Sequence, residues 1–171
     1  MRRYPPTSLL LTDRLGNVDI RLDDPTAPYV ADLLEHHLRE LQSVMSEYAF
    51  ALDASGLSAP GVSFWTAWTG EPGDQQLAGF VALKELDSTH GEVKSMRAAP
   101  SARGTGVGRA LLTHVVDEAR RRRYRRVSLE TGTAELHVPA ISLYRSAGFV
   151  SCPPFADYRA SPHNQFMTLP L

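Results

Sequence analysis

The chain has 171 residues, with 18 Lys and Arg against 19 Asp and Glu, one cysteine and 43% of its residues in the hydrophobic set. That composition excludes a disulfide scaffold, a collagen-like repeat and wholesale disorder, and no apolar run approaches the roughly 20 residues of a membrane-spanning helix. The net charge of -1 conceals a division, because residues 1–83 balance at -6 and residues 84–171 at +5. A chain of this length buries about two-thirds of its unfolded surface in one core, so a single domain over residues 1–171 is expected. With one cysteine and no secretory leader pattern, the expected location is cytoplasmic.

Val18 to Leu22 alternates apolar and charged residues, the period of a half-buried strand. Val30 to Met45 places Val30, Leu33, Leu34, Leu38, Leu41, Val44 and Met45 at helical spacing after Pro25 and Pro28. Ser46 to Gly61 mixes Asp53, Gly56, Pro60 and Gly61 with scattered apolar residues and reads as a long loop or a short broken helix. Ser63–Thr69 and Leu77–Leu83, joined by the turn cluster Glu71-Pro72-Gly73-Asp74, predict a hairpin. After a turn at Asp87–Gly91, Glu92–Ala98 is a third antiparallel strand that ends at Pro100.

From Val107 to about Tyr124 the 3.6 period returns, giving a second long helix. Val127–Glu130 is a short strand and Pro139–Ala147 a short helix stopped by Gly148. Phe149–Cys152 and Phe166–Leu169 are final strands. The order β, α, three-strand meander, α, β, α, β, β predicts an α/β domain with helices on a mixed sheet.

The segment Arg103-Gly104-Thr105-Gly106-Val107-Gly108-Arg109 lies between the third strand of the meander and the second long helix. A glycine-rich turn at a helix N-terminus lets a phosphate approach N–H groups that have no intrahelical partner, and the helix dipole adds attraction. It is not a P-loop, since no Lys and hydroxyl follow the glycines, and it is not a dinucleotide fingerprint, since the spacing is Gly-x-Gly-x-Gly after a meander.

Arg-x-x-Gly-x-Gly, from Arg103 to Gly108, resembles the acetyl-CoA signature of the GNAT N-acetyltransferase superfamily. Further on, Ala140-Ile141-Ser142-Leu143-Tyr144-Arg145-Ser146-Ala147-Gly148-Phe149 is similar to that family's second recurrent stretch, Ala-x-x-Leu-Tyr-x-x-x-Gly-Phe. The resemblance covers about residues 62–171. It implies a single-domain GNAT-like fold, a mixed and mostly antiparallel sheet splayed where the acyl-CoA binds. It also implies acetyl-CoA as acyl donor, no metal, and direct transfer to a primary amine without a covalent acyl-enzyme.

By the same resemblance the backbone of Met96, Arg97 and Ala98 pairs with the pantetheine arm, much as an added strand would. The diphosphate sits on the N–H groups of Gly104, Gly106, Val107, Gly108 and Arg109, with the Arg103 and Arg109 side chains near it. Tyr144 matches the tyrosine that protonates the departing thiolate. Glu92 is the favoured base for the amine, with Glu85 and Glu130 as rivals. Strand alternation places Glu92, Lys94 and Met96 on one face, so a Glu92–Lys94 surface pair is the plainer reading of Glu92. His137 stands where many members carry an Asn that contacts the pantetheine. Imidazole cannot present an amide's paired donor and acceptor, so a surface or capping histidine is the plainer reading there.

Other features carry less. The run Arg120 to Arg126 closes a helix, where cations complement the dipole, and a nucleic-acid role is disfavoured. Cys152 lacks a Cys-x-x-Cys partner and reads as an inert buried thiol, and the adjacent His36 and His37 point about 100° apart and would not chelate one ion. The acceptor pocket falls to residues around Glu47, Tyr48, Asp53, Trp65, Asp157 and Tyr158. The charge division favours a cationic or neutral amine over an acidic one. Oligomeric state, including a homodimer, stays open, and the rival class is a non-catalytic acyl-CoA sensor or partner module on the same fold.

Overall fold

The computed structural model describes residues 18–45 and 53–171. Seven strands form one sheet in the order β1-β2-β3-β4-β5-β7-β6: Asp19–Leu22, Val62–Thr69, Gln76–Asp87, His90–Ala98, Arg126–Gly132, Val150–Ser151 (β6) and Asn164–Pro170 (β7). Among the described residues every strand pair is antiparallel except β4 with β5. The helices are α1 Pro28–Met45, α2 Ala54–Leu57, α3 Val107–Arg121 and α4 Val138–Ser146.

Because side chains alternate along a strand, the sheet has two apolar faces, and each is covered by helices. On one face Trp65, Val81, Leu83, Val93, Val127, Leu129 and Met167 pack with Leu111, Leu112, Val115 and Ala119 of α3 and Tyr144 of α4. On the other, Phe64, Phe80 and Ala82 pack with Val30 and Leu34 of α1 and Leu57 of α2. Full burial of a Leu, Val or Phe side chain is worth about 1.5–3 kcal/mol, so the α3 face holds the larger share of the apolar stabilisation.

The predicted elements all form, with shifted limits. The turn expected over Asp87–Gly91 is only Ser88-Thr89, because Asp87 Oδ1 accepts from both the N–H and the hydroxyl of Thr89 and closes the hairpin early. β3 therefore reaches Asp87 and β4 starts at His90. The second long helix stops at Arg121, and Arg123 takes φ 62°, so Tyr124 lies outside it with its ring in the core. Asp53, expected in the acceptor pocket, caps α2 by accepting from Gly56 N–H at 2.9 Å. The helix sensed within residues 46–61 is α2, whereas Glu47 and Tyr48 lie outside the described residues.

The strand β4 carries a correction with consequences. Phe80 pairs with Arg97 and Ala82 with Lys94, so two β4 residues oppose Val81 alone, and Ser95 sits at φ 50°. This bulge breaks the alternation that put Met96 on the face of Glu92 and Lys94. Met96 instead packs with the α3 cluster, and Arg97 turns toward α1.

Candidate active site

β4 and β5 pair only at His90 with Arg126, Gly91 with Val127 and Glu92 with Ser128. Beyond Glu92, β4 stays paired to β3 as far as Ala98, and β5 stays paired to β7 as far as Gly132. The two strands therefore part while each keeps its other neighbour, and the sheet has a fork at its centre. Backbone groups of Val93 to Ala98 on the β5 side have no strand to pair with, an edge able to receive an extended ligand.

The glycine loop sits at the open end of β4. Gly104 and Gly106 take φ 76° and 93°, a region that costs a side chain strain, and a Cβ at either would meet nothing within 4 Å. Gly106 O accepts from Ala110 N–H, the first intrahelical bond of α3. Gly104, Gly106, Val107, Gly108 and Arg109 N–H groups find no acceptor among the described residues. Five unpaired donors gathered at a helix N-terminus form a ready anion cradle. Arg103 and Arg109 are exposed beside it.

The carboxylates gather at the start of the fork. Glu92 is 2% exposed, and its Oε1 accepts from Tyr158 OH at 2.5 Å and Lys94 Nζ at 3.2 Å. The expected Glu92–Lys94 pair therefore exists, but it is buried rather than at the surface. Lys94 also donates to Tyr158 OH at 2.5 Å. Glu130, two residues beyond Ser128 on the same face of β5, has a buried Oε1 with no hydrogen-bond partner. Burial pushes its carboxyl up to about 7, with Lys94 opposing the rise and Glu92 adding to it. Glu85 is one register position away, paired with Gly91 beside the Lys84–Glu92 pair, but it is exposed at the cavity edge and accepts from Tyr124 OH at 2.9 Å.

Tyr144 reaches the fork from α4 on the opposite face, buried against Phe149 with ring centroids 5.9 Å apart. Burial and then the Glu130 charge raise its phenol above the ordinary value, so it stays protonated at any working pH. His137 is neither a surface nor a side-chain-capping residue. It is 7% exposed, and its ring packs so closely on Gly132 that a Cβ there would come within 2.4 Å of it. Burial lowers its pKa and keeps it neutral.

The buried polar atoms without partners concentrate here. They include Ser95 Oγ, Arg97 Nε, Glu130 Oε1 and both ring nitrogens of His37 and His137. His37, on α1, packs edge-on against Phe80, and burial followed by the Arg97 charge pushes it down to about 4. Each such group costs about 1–3 kcal/mol if nothing binds it. Five residues with unmet groups along one fork mark a place that a polar ligand completes.

A cavity of about 670 Å³ opens on the Glu92 face, lined by Lys84, Asp87, His90, Arg126, Phe155 and Asp157 among others. Phe155 packs tilted against His90 and edge-on to Tyr158, which joins the cavity to the Glu92 cluster. All of its lining residues come from the second half of the chain. The half-buried Cys152 also borders it, its thiol raised by burial. Trp65, expected near an acceptor, is instead a core residue on the α3 face, edge-on to His114 at 5.2 Å.

The family model described as "Acetyltransferase (GNAT) family" matches residues 27–149. The chain belongs to the GNAT acetyltransferase family. The uncharacterized N-acetyltransferase YsnE of Bacillus subtilis (strain 168) is 45% identical over 87% of this chain and 97% of its own length. A Klebsiella pneumoniae crystal structure, described as an acyl-CoA N-acyltransferase, has a TM-score of 0.72 and 25% identity over 90% of this chain and 97% of that one. A GNAT acetyltransferase from Elizabethkingia anophelis, solved with acetyl-CoA bound, shares the fold, with a TM-score of 0.62 and 16% identity over 91% and 99% of the two chains. In this GNAT acetyltransferase the glycine loop lies at the open end of the fork, and Tyr144 approaches the fork from α4.

Lys94, Tyr158, Asn164, Ser95, His37 and Glu40 complete the surroundings of the fork. Of these, Lys94 and Tyr158 drew attention in the sequence as site residues, and His37 only as half of a declined metal pair. Glu40 and His37 sit in an ordinary amphipathic helix, and only the packing of α1 on the sheet gives Glu40 its ion pair with Arg97 and His37 its edge-on contact with Phe80.

Proposed function

We propose that this enzyme transfers the acetyl group of acetyl-CoA to a primary amine within a ternary complex, with Glu130 as the base and Tyr144 as the acid. The observation that carries this reading is the concentration of unmet polar groups along the fork, Glu130 Oε1 among them. The residues present fit acetyl-CoA: five free N–H donors suit a diphosphate, the unpaired edge of Val93 to Ala98 suits the pantetheine amides, and His137 offers a neutral imidazole beside them. Bound there, acetyl-CoA supplies an activated acyl group whose carbonyl accepts a nucleophile.

The acceptor nitrogen must be neutral to attack, and a carboxyl poised at about 7 can take its proton near neutral pH. Nitrogen bonds to the carbonyl carbon, the carbon–sulfur bond breaks, and Tyr144 OH hands its proton to the departing sulfur while Glu130 holds the one from nitrogen. Glu92, paired with Lys94 and covered by Tyr158, is a positioning residue whose charge tunes Glu130. The acceptor's body lies toward the cavity. There Glu85, Asp87 and Asp157 outnumber Lys84 and Arg126, which favours cationic or neutral amines over acidic ones.

The test is thermal shift with acetyl-CoA, followed by thiol release over polyamines, amino acids, aminoglycosides and peptides. Turnover on a cationic or neutral amine is expected. Stabilisation without turnover on any amine would instead identify an acyl-CoA sensor, and a preference for acidic amines would remove the charge argument. Gly106→Ala is expected to weaken acetyl-CoA binding at least tenfold while costing the fold only about 1–2 kcal/mol, since its Cβ enters the space left for phosphate at a strained φ. Titration calorimetry beside a thermal melt separates the two effects.

A further inference from the structure

Glu40 lies on α1, far in sequence from the glycine loop, yet both of its carboxylate oxygens are engaged by arginines of the second half of the chain. Oε2 lies 2.6 Å from Arg97 Nη2, and Oε1 lies 3.2 Å from Arg103 Nη2 and 3.1 Å from Nε2 of His36, one turn back on α1, a contact that the exchange at Arg103 leaves in place. Arg97 is an inner contact, 12% exposed, whereas Arg103 is 53% exposed at the head of the loop. Burial works to raise the Glu40 carboxyl, but the two guanidiniums hold it below its ordinary value. It is an anion at neutral pH, bonded to the arginine that opens the anion cradle.

A diphosphate on the N–H groups of residues 104–109 brings at least two negative charges beside Arg103 and competes for the same planar fork of donors. Glu40 repels that anion and already occupies the guanidinium. We propose that Glu40 is a built-in competitor for the phosphate end of the acyl donor, a carboxylate latch that holds Arg103 to α1 until the diphosphate of CoA displaces it. Arg97 keeps its half of the carboxylate, so α1 remains docked on β4 while the Arg103 arm changes partners. The same exchange in reverse helps free CoA leave after transfer, at the expense of some donor affinity. The proposal rests on reading the glycine loop as a CoA cradle.

Titration calorimetry of the full chain with free CoA tests it in four proteins: wild type, Glu40→Gln, Arg103→Gln and the double variant. Glu40→Gln is expected to tighten CoA about threefold, the scale of one exposed ion pair. The tightening should vanish in the Arg103→Gln background, because the effect runs through that guanidinium. Equal or weaker binding by Glu40→Gln, or tightening that survives without Arg103, overturns the latch. Should Glu40→Gln fold poorly with Arg97 left without its carboxylate, the wild-type protein still answers. The carbon-13 titration of the Glu40 carboxyl should move to higher pH when CoA is added, and an unmoved or lowered titration overturns the proposal. Wild-type protein that binds no CoA would defeat the cradle itself, whereas CoA binding without these responses defeats only the latch.

Discussion

Glu130→Gln is expected to lower kcat/KM by about 100- to 10,000-fold, the range that a positioned general base contributes, and to abolish the rise in rate with pH. In the parent enzyme that rise should be centred near 7, because only the ionised carboxylate can accept the amine's proton and burial holds the group un-ionised below that pH. The neighbours fix the sign of two further shifts. Glu92 raises the Glu130 carboxyl, so Glu92→Gln should move the inflection to lower pH and leave it present. Lys94 lowers it, so Lys94→Met should move the inflection upward. Initial rates from pH 5 to 9 decide the matter. A Glu92→Gln enzyme that loses the inflection while Glu130→Gln keeps it would return the role of base to Glu92.

Tyr144→Phe should reduce kcat by about a hundredfold with little change in acetyl-CoA affinity or melting temperature. Phenylalanine keeps the ring, its contact with Phe149 and its place in the α3 cluster. What it removes is the hydroxyl, whose proton is meant for the departing sulfur. The raised phenol pKa makes Tyr144 a poor acid in bulk terms, so the transfer depends on the proton moving as the carbon–sulfur bond breaks, not on a free tyrosinate. Single-turnover thiol release measures the step directly. Unchanged kcat would reduce Tyr144 to a packed aromatic with a polar tip.

Much of the fold could be read from periodicity. The 3.6 pattern located α1 and α3, and the alternation and turn chemistry located the meander, because each signal is local in the chain. The bulge at Ser95 was missed. Its one trace is the polar pair Lys94-Ser95, which shifts the polar and apolar alternation by one residue. That signal is too short to separate a bulge from a polar surface position, yet the bulge alone moved Met96 away from Glu92. The motifs located Tyr144 and the glycine loop, since both depend on short runs of neighbouring residues. The choice among Glu85, Glu92 and Glu130 could not be made that way. It turns on which carboxylate finds a cation within the fold, and Lys94 takes Glu92 while Glu130 Oε1 is left unmet. The charge division was legible as a count but not as an arrangement. Glu40 of the acidic half is bound to Arg97 and Arg103 of the basic half, and the cavity is lined wholly by residues after position 83.

The unequal apolar coverage of the sheet's two faces has a consequence for how the molecule opens. α3 is anchored by six buried side chains, Val107, Leu111, Leu112, Val115, Val116 and Ala119. α1 rests on Val30 and Leu34 against Phe64, Phe80 and Ala82. Sub-global opening follows the weaker seam, so amide protons of α1 should exchange with solvent through partial release of that helix, while those of α3 wait for the whole domain to unfold. The face that carries Glu92 and Glu130 is thus the one that breathes, and the rigid face is the one that holds the glycine loop.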